Sequence, residues 1–261
     1  MSFNGKVVAI TGAAGGIGQS LCRFFAGEGA AIAAIDLSPA LSDFMGEKWA
    51  APVKTAHAVF DIGDRAAVAD GFAALAAKLG GIDILINNAG FSLHPTFART
   101  NPESWNHEVN GNLNGAYYCA HAVLDCMKAK GGGSIVAIGS VNGLGALGDP
   151  AYSAAKAGLI SFTKSLALEY GRFNIRSNIV LPGTVRTPLW QRRAAKDPTV
   201  LETLRKWYPL GRIVDPDDVS RAVAFLASDA AAAITGVVLP VDCGLSAGNI
   251  VMARELTLEE F

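Results

Sequence analysis

Short apolar runs alternate along the chain with longer Ala-rich segments whose apolar positions recur at helical spacing. The runs are bounded by Gly, Asp or Asn, a pattern typical of repeated β-α units. Strands are predicted at Lys6–Ile10, Ala31–Asp36, Thr55–Asp61, Ile82–Asn87, Ser134–Ile138, Arg176–Leu181 and Val237–Val241. Helices are predicted at about Gly16–Glu28, Pro39–Trp49, Asp64–Leu79, Pro102–Lys130, Pro150–Tyr170 and Pro216–Ala227.

The predicted strands are almost continuously apolar, which indicates burial on both faces, as in a parallel sheet. Repeated strand–helix–strand units imply right-handed crossovers and helices on both faces of the sheet. No linker, low-complexity stretch or change of composition divides the 261 residues. We therefore expect an α/β protein in which residues 1–261 form a single domain. Its centre should be a Rossmann-like, doubly wound parallel sheet.

One stretch breaks the regular alternation. Gly183–Leu210 separates the sixth predicted strand from the last predicted helix, and connections of this length often serve as active-site lids. Residues 184–210 are therefore predicted to form a substrate-binding lid. Between Thr184 and Tyr208 its cations outnumber its anions, with Arg186, Arg192, Arg193, Lys196, Arg205 and Lys206 against Asp197 and Glu202.

Composition and charge argue against several classes of protein. The chain is 51% apolar, enough for a large core, and a net charge of −1 offers no basic surface for nucleic acid or an anionic membrane. No apolar stretch approaches the roughly 20 residues that span a bilayer. The amino terminus enters a predicted strand without a signal-peptide pattern, so a cytoplasmic location is expected. The spacing of the Cys and His residues fits neither a disulfide framework nor a metal site, and we expect no metal in the chemistry.

A Gly-rich turn follows the first predicted strand and opens a predicted helix. Its glycines, Gly12, Gly16 and Gly18, have the spacing Gly-x-x-x-Gly-x-Gly rather than the commoner Gly-x-Gly-x-x-Gly. Glycine permits the turn and a close approach of the backbone, and a pyrophosphate would meet the N-terminus of the following helix. The strand–turn–helix context that such a motif requires is present. The turn therefore predicts a dinucleotide site.

Asp36 ends the second predicted strand, about 20 residues beyond this turn, where an acidic side chain binds the adenosine ribose hydroxyls. The same carboxylate would repel a 2′-phosphate. Neither the turn residues Ala13 and Ala14 nor Leu37 and Ser38 supply a cation. The sequence therefore favours NAD over NADP as the cofactor.

Tyr152 and Lys156 have the spacing Tyr-x-x-x-Lys on a predicted helix that Asp149 is expected to cap. Residues four apart share one helix face. A nearby ammonium is expected to lower the pKa of the phenol, which would then exchange a proton with an alcohol or carbonyl oxygen. Ser140, just past the fifth predicted strand, would hydrogen-bond the substrate oxygen. Together with the dinucleotide turn, this group indicates hydride transfer to or from a nicotinamide.

The chain resembles the short-chain dehydrogenase/reductase family over essentially its whole length. The motifs that carry the resemblance are Thr11-Gly-Ala-Ala-Gly-Gly-Ile-Gly18, Asn87-Asn88-Ala89-Gly90, Asn112, Ser140, Tyr152-x-x-x-Lys156, Pro182-Gly183 and Pro209-Leu210-Gly211-Arg212. The resemblance implies a catalytic tetrad of Asn112, Ser140, Tyr152 and Lys156, in which Asn112 interrupts its helix and helps to hold a water that relays protons from Lys156. It also implies a seven-stranded sheet of order 3-2-1-4-5-6-7 and a homotetramer.

The resemblance extends to the cofactor. Asp61 and Ile62 would contact adenine, Asn87, Ala89 and Gly90 would support the dinucleotide, and the segment from Pro182 to Thr187 would receive the nicotinamide carboxamide. The expected cofactor-binding residues are Gly12, Gly16, Ile17, Gly18, Asp36, Leu37, Asp61, Ile62, Asn87, Ala89, Gly90, Tyr152, Lys156, Pro182, Gly183, Val185 and Thr187. One departure is Asp242-Cys243-Gly244 in place of Asp-Gly-Gly, because Cys tolerates a positive φ poorly.

The substrate is less well defined, because this fold and tetrad serve many substrates. The expected substrate-binding residues are His94, Ser140, Asn142, Tyr152, Arg186, Trp190, Gln191 and Arg192, a polar set with an aromatic wall. This set favours a sugar or polyol, and the basic lid adds the option of an acidic group, read by Arg186 and Arg192. The alternatives are a 3-oxoacyl-thioester reductase, which Asp36 disfavours, and a nucleotide-sensing module without turnover, which the intact tetrad disfavours.

The long predicted helices also bear on assembly. Ala116, Tyr117, Ala120, Leu159, Phe162 and Leu166 give them more apolar and small residues than one sheet face is expected to cover. By the family resemblance these helices would pair across a two-fold axis. The carboxyl-terminal segment Gly244–Phe261 is a candidate to reach a neighbouring subunit.

Overall fold

A computed structural model describes residues 1–47, 53–188, 190, 195–197 and 199–259. The described residues form one parallel sheet of seven strands in the order β3-β2-β1-β4-β5-β6-β7. The strands are β1 Val7–Thr11, β2 Ala31–Asp36, β3 Thr55–Val59, β4 Ile84–Asn87, β5 Gly133–Ile138, β6 Ile175–Pro182 and β7 Val238–Val241. The predicted fold class and strand order are confirmed.

Helices cover both faces of this sheet. The described α-helices are α1 Gly16–Gly27, α2 Ala40–Gly46, α3 Arg65–Leu79, α4 Pro102–Val109, α5 Gly115–Ala129, α6 Pro150–Tyr170, α7 Val200–Arg205, α8 Pro216–Ala227 and α9 Ile250–Thr257. Residues of α1, α2 and α8 join one apolar core cluster, and residues of α3, α5 and α6 pack against the opposite face. All residues of β1 and β4 are buried because both of their faces are covered. Among the described helices, none is long and apolar enough to cross a bilayer.

Three boundaries differ from the sequence prediction. The third strand ends at Val59 rather than Asp61, because the Asp61 carboxylate accepts a hydrogen bond from the Gly63 amide (2.8 Å) and turns the chain. The single helix predicted from Pro102 to Lys130 is divided by a wider helical turn at Asn110–Asn114. The second helix was predicted to continue to Trp49, which lies outside the described residues; its described part ends at Gly46.

The predicted lid is partly helical, since it contains α7, and its end is anchored to the sheet. The buried Tyr208 hydroxyl accepts a hydrogen bond from the Thr184 amide (3.0 Å), and the Leu210 amide donates to the Cys243 carbonyl (3.1 Å). Cys243 does adopt a left-handed conformation, with φ of 54°. The sequence prediction missed both α7 and the carboxyl-terminal helix α9.

Arg176 ties β6 to the carboxyl-terminal end of α8. Its guanidinium donates to the carbonyls of Leu226, Ala227, Ser228 and Ile234, four acceptors from two adjoining segments. The last carbonyls of a helix have no partner within the helix, so an external donor is needed where they are covered. Arg176 therefore closes the edge of the sheet that lies opposite the cleft described below.

We expect Arg176→Ala to lower the free energy of unfolding by about 2–3 kcal/mol, since the carbonyls that it satisfies lose a charged donor. Urea unfolding followed by circular dichroism measures this change. The control is Arg221→Ala, which removes an arginine of α8 that is 61% exposed and paired at the surface with Asp218; it should cost less than about 1 kcal/mol. Equal losses in the two variants would show that the carbonyl contacts of Arg176 do not stabilise the fold.

Candidate active site

A crevice opens at the carboxyl ends of β1 and β4, where the strand order reverses, because β2 lies on one side of this pair and β5 on the other. The Thr11 hydroxyl accepts hydrogen bonds from the amides of Asn88 and Ala89, each at 3.0 Å. The Asn88 side-chain amide donates to the carbonyls of Thr11 (2.9 Å) and Gly12 (3.1 Å). These contacts, which we call the Thr11–Asn88 clamp, hold the two strand ends at a fixed separation.

The Gly-rich turn packs so closely that side chains would collide with it. A Cβ atom at Gly12 would lie 2.8 Å from the Ala89 Cα, and one at Gly18 would lie 2.0 Å from the Gly12 carbonyl oxygen. Gly12 also has a φ of 66°, which glycine adopts without strain. No side chain caps the first turn of α1, so its backbone N–H groups remain available to an anion. This geometry fits a pyrophosphate.

Asp36 stands beside this turn. One of its carboxylate oxygens accepts a hydrogen bond from the Ala14 amide (2.9 Å), and the other accepts from the Ser38 amide (2.8 Å). The two bonds fix the orientation of the carboxylate and leave lone pairs on each oxygen for further donors. Arg23, a cation of the neighbouring helix α1, pairs instead with Glu47 (3.0 Å).

Two cavities join into one cleft along the carboxyl edge of the sheet. The first, of about 550 Å³, runs from Asp36, Leu37, Asp61 and Ile62 across the Gly-rich turn. The second, of about 220 Å³, is lined by Ser140, Tyr152, Lys156, Pro182, Gly183, Val185 and Trp190 among others. Both are lined by Ile17, Asn88, Gly90 and Thr187. A dinucleotide could therefore extend from the acidic strand end to the tyrosine, and the described residues that line this cleft supply no cation other than Lys156.

The second cavity brings together the predicted proton-transfer residues. The buried Lys156 ammonium donates to the Ile138 carbonyl (2.8 Å) and lies 5.4 Å from the centre of the Tyr152 ring. Ser140 lies close enough to Tyr152 to lower the pKa of its phenol, and both side chains line this cavity. The Ser140 hydroxyl is in turn oriented by Asn142, whose amide donates to it (3.2 Å). The side chains come from the turn that follows β5 and from one face of α6, and β5 supplies the Ile138 carbonyl.

The pKa values of the pair differ from the sequence expectation. Burial lowers the pKa of the Lys156 ammonium to about 8, since a buried cation is poorly solvated. Burial also raises the pKa of the Tyr152 phenol; the hydrogen bond with Ser140 lowers it, and the charge of Asp149 raises it further. The prediction of a lowered pKa for Tyr152 is therefore wrong in its direction, because desolvation dominates.

Asn112 lies in the wide helical turn between α4 and α5, so the predicted interruption of the helix is present. Its side-chain amide donates to the carbonyls of Phe91 and Glu108, both at 2.8 Å, and its side-chain oxygen accepts from the Phe91 amide (3.1 Å). A Cβ atom at Gly90 would lie 2.7 Å from that oxygen and 3.1 Å from the Lys156 Nζ. The side chains of Asn112 and Lys156 thus both lie next to the backbone of Gly90.

Some predicted residues lie elsewhere. Asn87 lines neither cavity, and its buried side chain donates to the Ala116 carbonyl (3.1 Å). His94 and Asn142 also lie outside both linings. Arg186 is paired with Asp215 at 3.0 Å and does not line the cleft, because the ion pair directs it toward α8. Gln191, Arg192 and Arg193 lie outside the described residues.

The sequence prediction did not assign the contacts that Thr11, Asn88 and Asp149 make at this site. The Thr11–Asn88 clamp was part of a recognised motif, but its cross-strand contacts depend on which strands are neighbours. Asp149 was expected to cap α6, yet its side chain makes no capping bond and instead accepts a hydrogen bond from the Ser92 hydroxyl. Its left-handed conformation, with φ of 50°, turns the carboxylate away from the helix end. No signal in the sequence marks that conformation at a non-glycine residue.

Comparison with known proteins now identifies the family. A family model described as enoyl-(acyl carrier protein) reductase matches residues 12–246. An uncharacterized oxidoreductase of Schizosaccharomyces pombe is 44% identical over 99% of this chain and 98% of its own length. The 3-oxoacyl-[acyl-carrier-protein] reductase of Thermotoga maritima is 38% identical over 94% of this chain and 99% of its own.

Solved structures agree with these relatives. A short-chain dehydrogenase/reductase oxidoreductase from Burkholderia thailandensis is 51% identical, covers 98% of both chains and superposes with a TM-score of 0.91. Thermoplasma acidophilum aldohexose dehydrogenase is 31% identical, with a TM-score of 0.85 and 94% and 96% coverage. Brucella melitensis 3-ketoacyl-(acyl-carrier-protein) reductase complexed with NADH is 31% identical, with a TM-score of 0.86 and 94% and 100% coverage. The chain belongs to the short-chain dehydrogenase/reductase family of oxidoreductases.

Proposed function

We propose that this protein is an NAD-dependent oxidoreductase that moves a hydride between an alcohol carbon of its substrate and the nicotinamide. The observation that carries this proposal is the continuous cleft from Asp36 to Tyr152, since the residues shared by its two cavities join a dinucleotide-sized groove to a proton-transfer group. When bound, NAD would supply the hydride chemistry. The residues of the chain would hold it in place and move the proton.

Tyr152 would exchange a proton with the substrate oxygen through its phenol, and Ser140 would hydrogen-bond the same oxygen. Lys156, held by the Ile138 carbonyl, would stabilise the phenolate by its charge. Asn112 faces Lys156 across Gly90 and would hold a bridging water there. In the oxidation direction Tyr152 accepts the proton, and in the reduction direction it donates it.

The preference for NAD is supported by Asp36 and by the absence of Arg and Lys around it in the described lining of the first cavity. A 2′-phosphate there would approach a carboxylate with no compensating charge. The Brucella melitensis reductase, a different protein, has a structure in complex with NADH, which is consistent with this preference.

For the substrate, we propose a sugar or polyol, in keeping with the hydroxyl, amide and aromatic groups near Tyr152 and with the likeness to an aldohexose dehydrogenase. The acidic group considered from the sequence has weaker support, because two of the described lid cations pair locally. Arg186 pairs with Asp215, and Arg205 pairs with Glu202 (2.8 Å). A neutral substrate therefore fits the described lid better.

A second candidate is the reduction of 3-oxoacyl thioesters. The names of several relatives favour it, including a 3-oxoacyl-[acyl-carrier-protein] reductase and an acetoacetyl-CoA reductase. Leu93, Leu144 and Leu147, exposed on the segments that follow β4 and β5, would suit an acyl chain. A screen of NAD- and NADP-coupled activity over aldoses, polyols, uronates and 3-oxoacyl thioesters separates the two candidates. Activity on none of these with either cofactor would contradict the proposal.

Assembly as a homotetramer stays a prediction. Ala116, Ala120, Leu159 and Leu166 are buried within the chain, so they cannot form the interface that the sequence indicated. Tyr117 remains 48% exposed and touches the rings of Tyr118, His121 and Phe162. This aromatic group on α5 and α6 is the described surface that best suits a helix-to-helix contact between subunits.

Wild-type protein should use NAD with a kcat/KM at least about 10²-fold above that for NADP, because Asp36 repels the extra phosphate. Asp36→Ala should bring the two values to within about tenfold of each other. Initial rates with both cofactors measure this ratio. Asp43→Ala, which removes an exposed carboxylate from the next helix, is the matched control and should leave the ratio unchanged. A wild-type preference for NADP would refute the assignment.

Tyr152→Phe should lower kcat by about 10²-fold or more, because it keeps the ring and deletes the group that carries the proton. Binding of NADH, followed by its fluorescence, should persist. Since the pKa of Tyr152 is raised and its phenol is protonated at neutral pH, wild-type oxidation should quicken as pH rises, whereas reduction should slow. The apparent pKa belongs to the coupled Tyr152–Lys156 pair. Near-normal turnover in the Phe variant would remove Tyr152 from the mechanism.

Light scattering coupled to size-exclusion chromatography should give a mass of four chains at micromolar concentration. Tyr117→Glu places a charge in the exposed aromatic group and should weaken that assembly, since burying an unpaired charge is costly. Ala69→Glu, at an exposed position of α3, is the control. A monomeric wild-type protein would contradict the predicted assembly.

A further inference from the structure

Tyr208 is a buried tyrosine near the end of the lid, just beyond α7, and it is 3% exposed. Its backbone is held on both sides, since its amide donates to the Arg205 carbonyl (3.0 Å) and its carbonyl accepts from the Gly211 amide (2.8 Å). A buried phenol hydroxyl needs a hydrogen-bond partner. That partner is the Thr184 amide, which donates to the hydroxyl at 3.0 Å. The first residue of the lid is therefore bonded to a residue near its last.

Thr184 lies just past the point where the sheet stops pairing. β6 ends at Pro182, whose partner in β7 is Val241, and β7 ends there as well. The Gly183 amide still donates to the Val241 carbonyl (3.1 Å), but the Thr184 amide lies past the last strand pair. A partly buried backbone donor that lacks an acceptor is costly. The Tyr208 hydroxyl supplies this acceptor in place of a strand, and so it fixes the chain where it leaves the sheet.

The ring of Tyr208 packs against the same strand end. A Cβ atom at Gly183 would lie 3.2 Å from the Tyr208 Cε1 and 3.2 Å from the Asp242 Cα. Gly183 is therefore enclosed between the tyrosine ring and the end of β7, and it also lines the second cavity, beside the proton-transfer residues. Val185, the residue after Thr184, lines the same cavity. Tyr208 thus supports one wall of the cleft from behind.

The residues that follow Tyr208 hold it in place against the segment after β7. The Leu210 amide donates to the Cys243 carbonyl (3.1 Å). Pro209 packs on the next residue of that segment, since a Cβ atom at Gly244 would lie 2.8 Å from the proline Cγ. A phenol on a backbone that is held at several points has little freedom to follow its partner. The hydroxyl of Tyr208 therefore sets the position of the strand end that it bonds.

We propose that Tyr208 is a positioning residue for the nicotinamide end of the cleft, where its hydroxyl and ring hold residues 183–185 in the arrangement that receives the nicotinamide. The inference rests on the proposed function, in which the segment from Pro182 to Thr187 meets that group. Tyr208 itself lies outside the linings of both cavities, so it acts through the strand end. The adenosine end of the cleft, at Asp36 and the Gly-rich turn, does not depend on this contact.

The test compares NADH with ADP-ribose, which keeps the adenosine and the pyrophosphate but lacks the nicotinamide. Tyr208→Phe keeps the ring and deletes the hydroxyl, so the arrangement of the strand end that accepts the nicotinamide should be less populated. We expect the variant to bind NADH about three- to tenfold more weakly, the effect of one neutral hydrogen bond, and to bind ADP-ribose as the wild type does. Isothermal titration calorimetry measures both affinities. Tyr170→Phe, at the end of α6 where the ring packs on Phe173, is the matched control and should change neither.

Hydrogen exchange gives a second measurement, which starts from the wild-type protein. NADH should slow exchange of the Thr184 amide and ADP-ribose should not, because only NADH reaches this end of the cleft. In Tyr208→Phe the same amide should exchange faster before any ligand is added. Equal weakening of NADH and ADP-ribose, an unchanged affinity for NADH, or equal protection of Thr184 by both ligands would overturn the role of Tyr208 and leave the proposed function standing. A wild-type protein that binds no NADH would refute the proposed function, and this inference with it.

Discussion

The Thr11–Asn88 clamp is the contact on which the rest of the site depends. It holds together the carboxyl ends of β1 and β4, where the chain leaves the sheet in two opposite directions. The side chains of Thr11 and Asn88 bond to backbone groups that are no longer paired within the sheet. With that separation set, Gly12 meets Ala89 so closely that a single methyl group would not fit. The first turn of α1 then opens toward the crevice, and Asp36 is oriented by the same turn.

Desolvation governs the other half of the site. Lys156 is 2% exposed and contacts the Ile138 carbonyl, so its charge is held under Tyr152 by the scaffold instead of moving in solvent. Burial lowers the pKa of Lys156 and raises the pKa of Tyr152. Both pKa values therefore lie on the alkaline side of neutrality. Neighbouring charges act strongly at such a place, because little water screens them.

Much of this architecture could be predicted from the sequence, because periodic burial decides both strand and helix. The continuous apolar runs identify buried parallel strands, and the helix Pro150–Tyr170 has the same ends in the prediction and in the structure. What could not be predicted depends on three-dimensional neighbours. The pKa of Tyr152 follows from burial more than from its spacing to Lys156, and Arg186 is held by Asp215, 29 residues further along the chain. The left-handed φ of Asp149 likewise has no local sequence signature.

The central claim is that one cleft carries a dinucleotide from Asp36 to Tyr152. A crystal structure of the protein with NADH tests this claim most directly. The account predicts the adenosine ribose hydroxyls within hydrogen-bond distance of the Asp36 carboxylate, the pyrophosphate over the Gly12–Gly18 turn, and the nicotinamide beside Tyr152 and Lys156. A dinucleotide bound with its adenosine away from Asp36, or with its nicotinamide out of reach of Tyr152, would contradict the account.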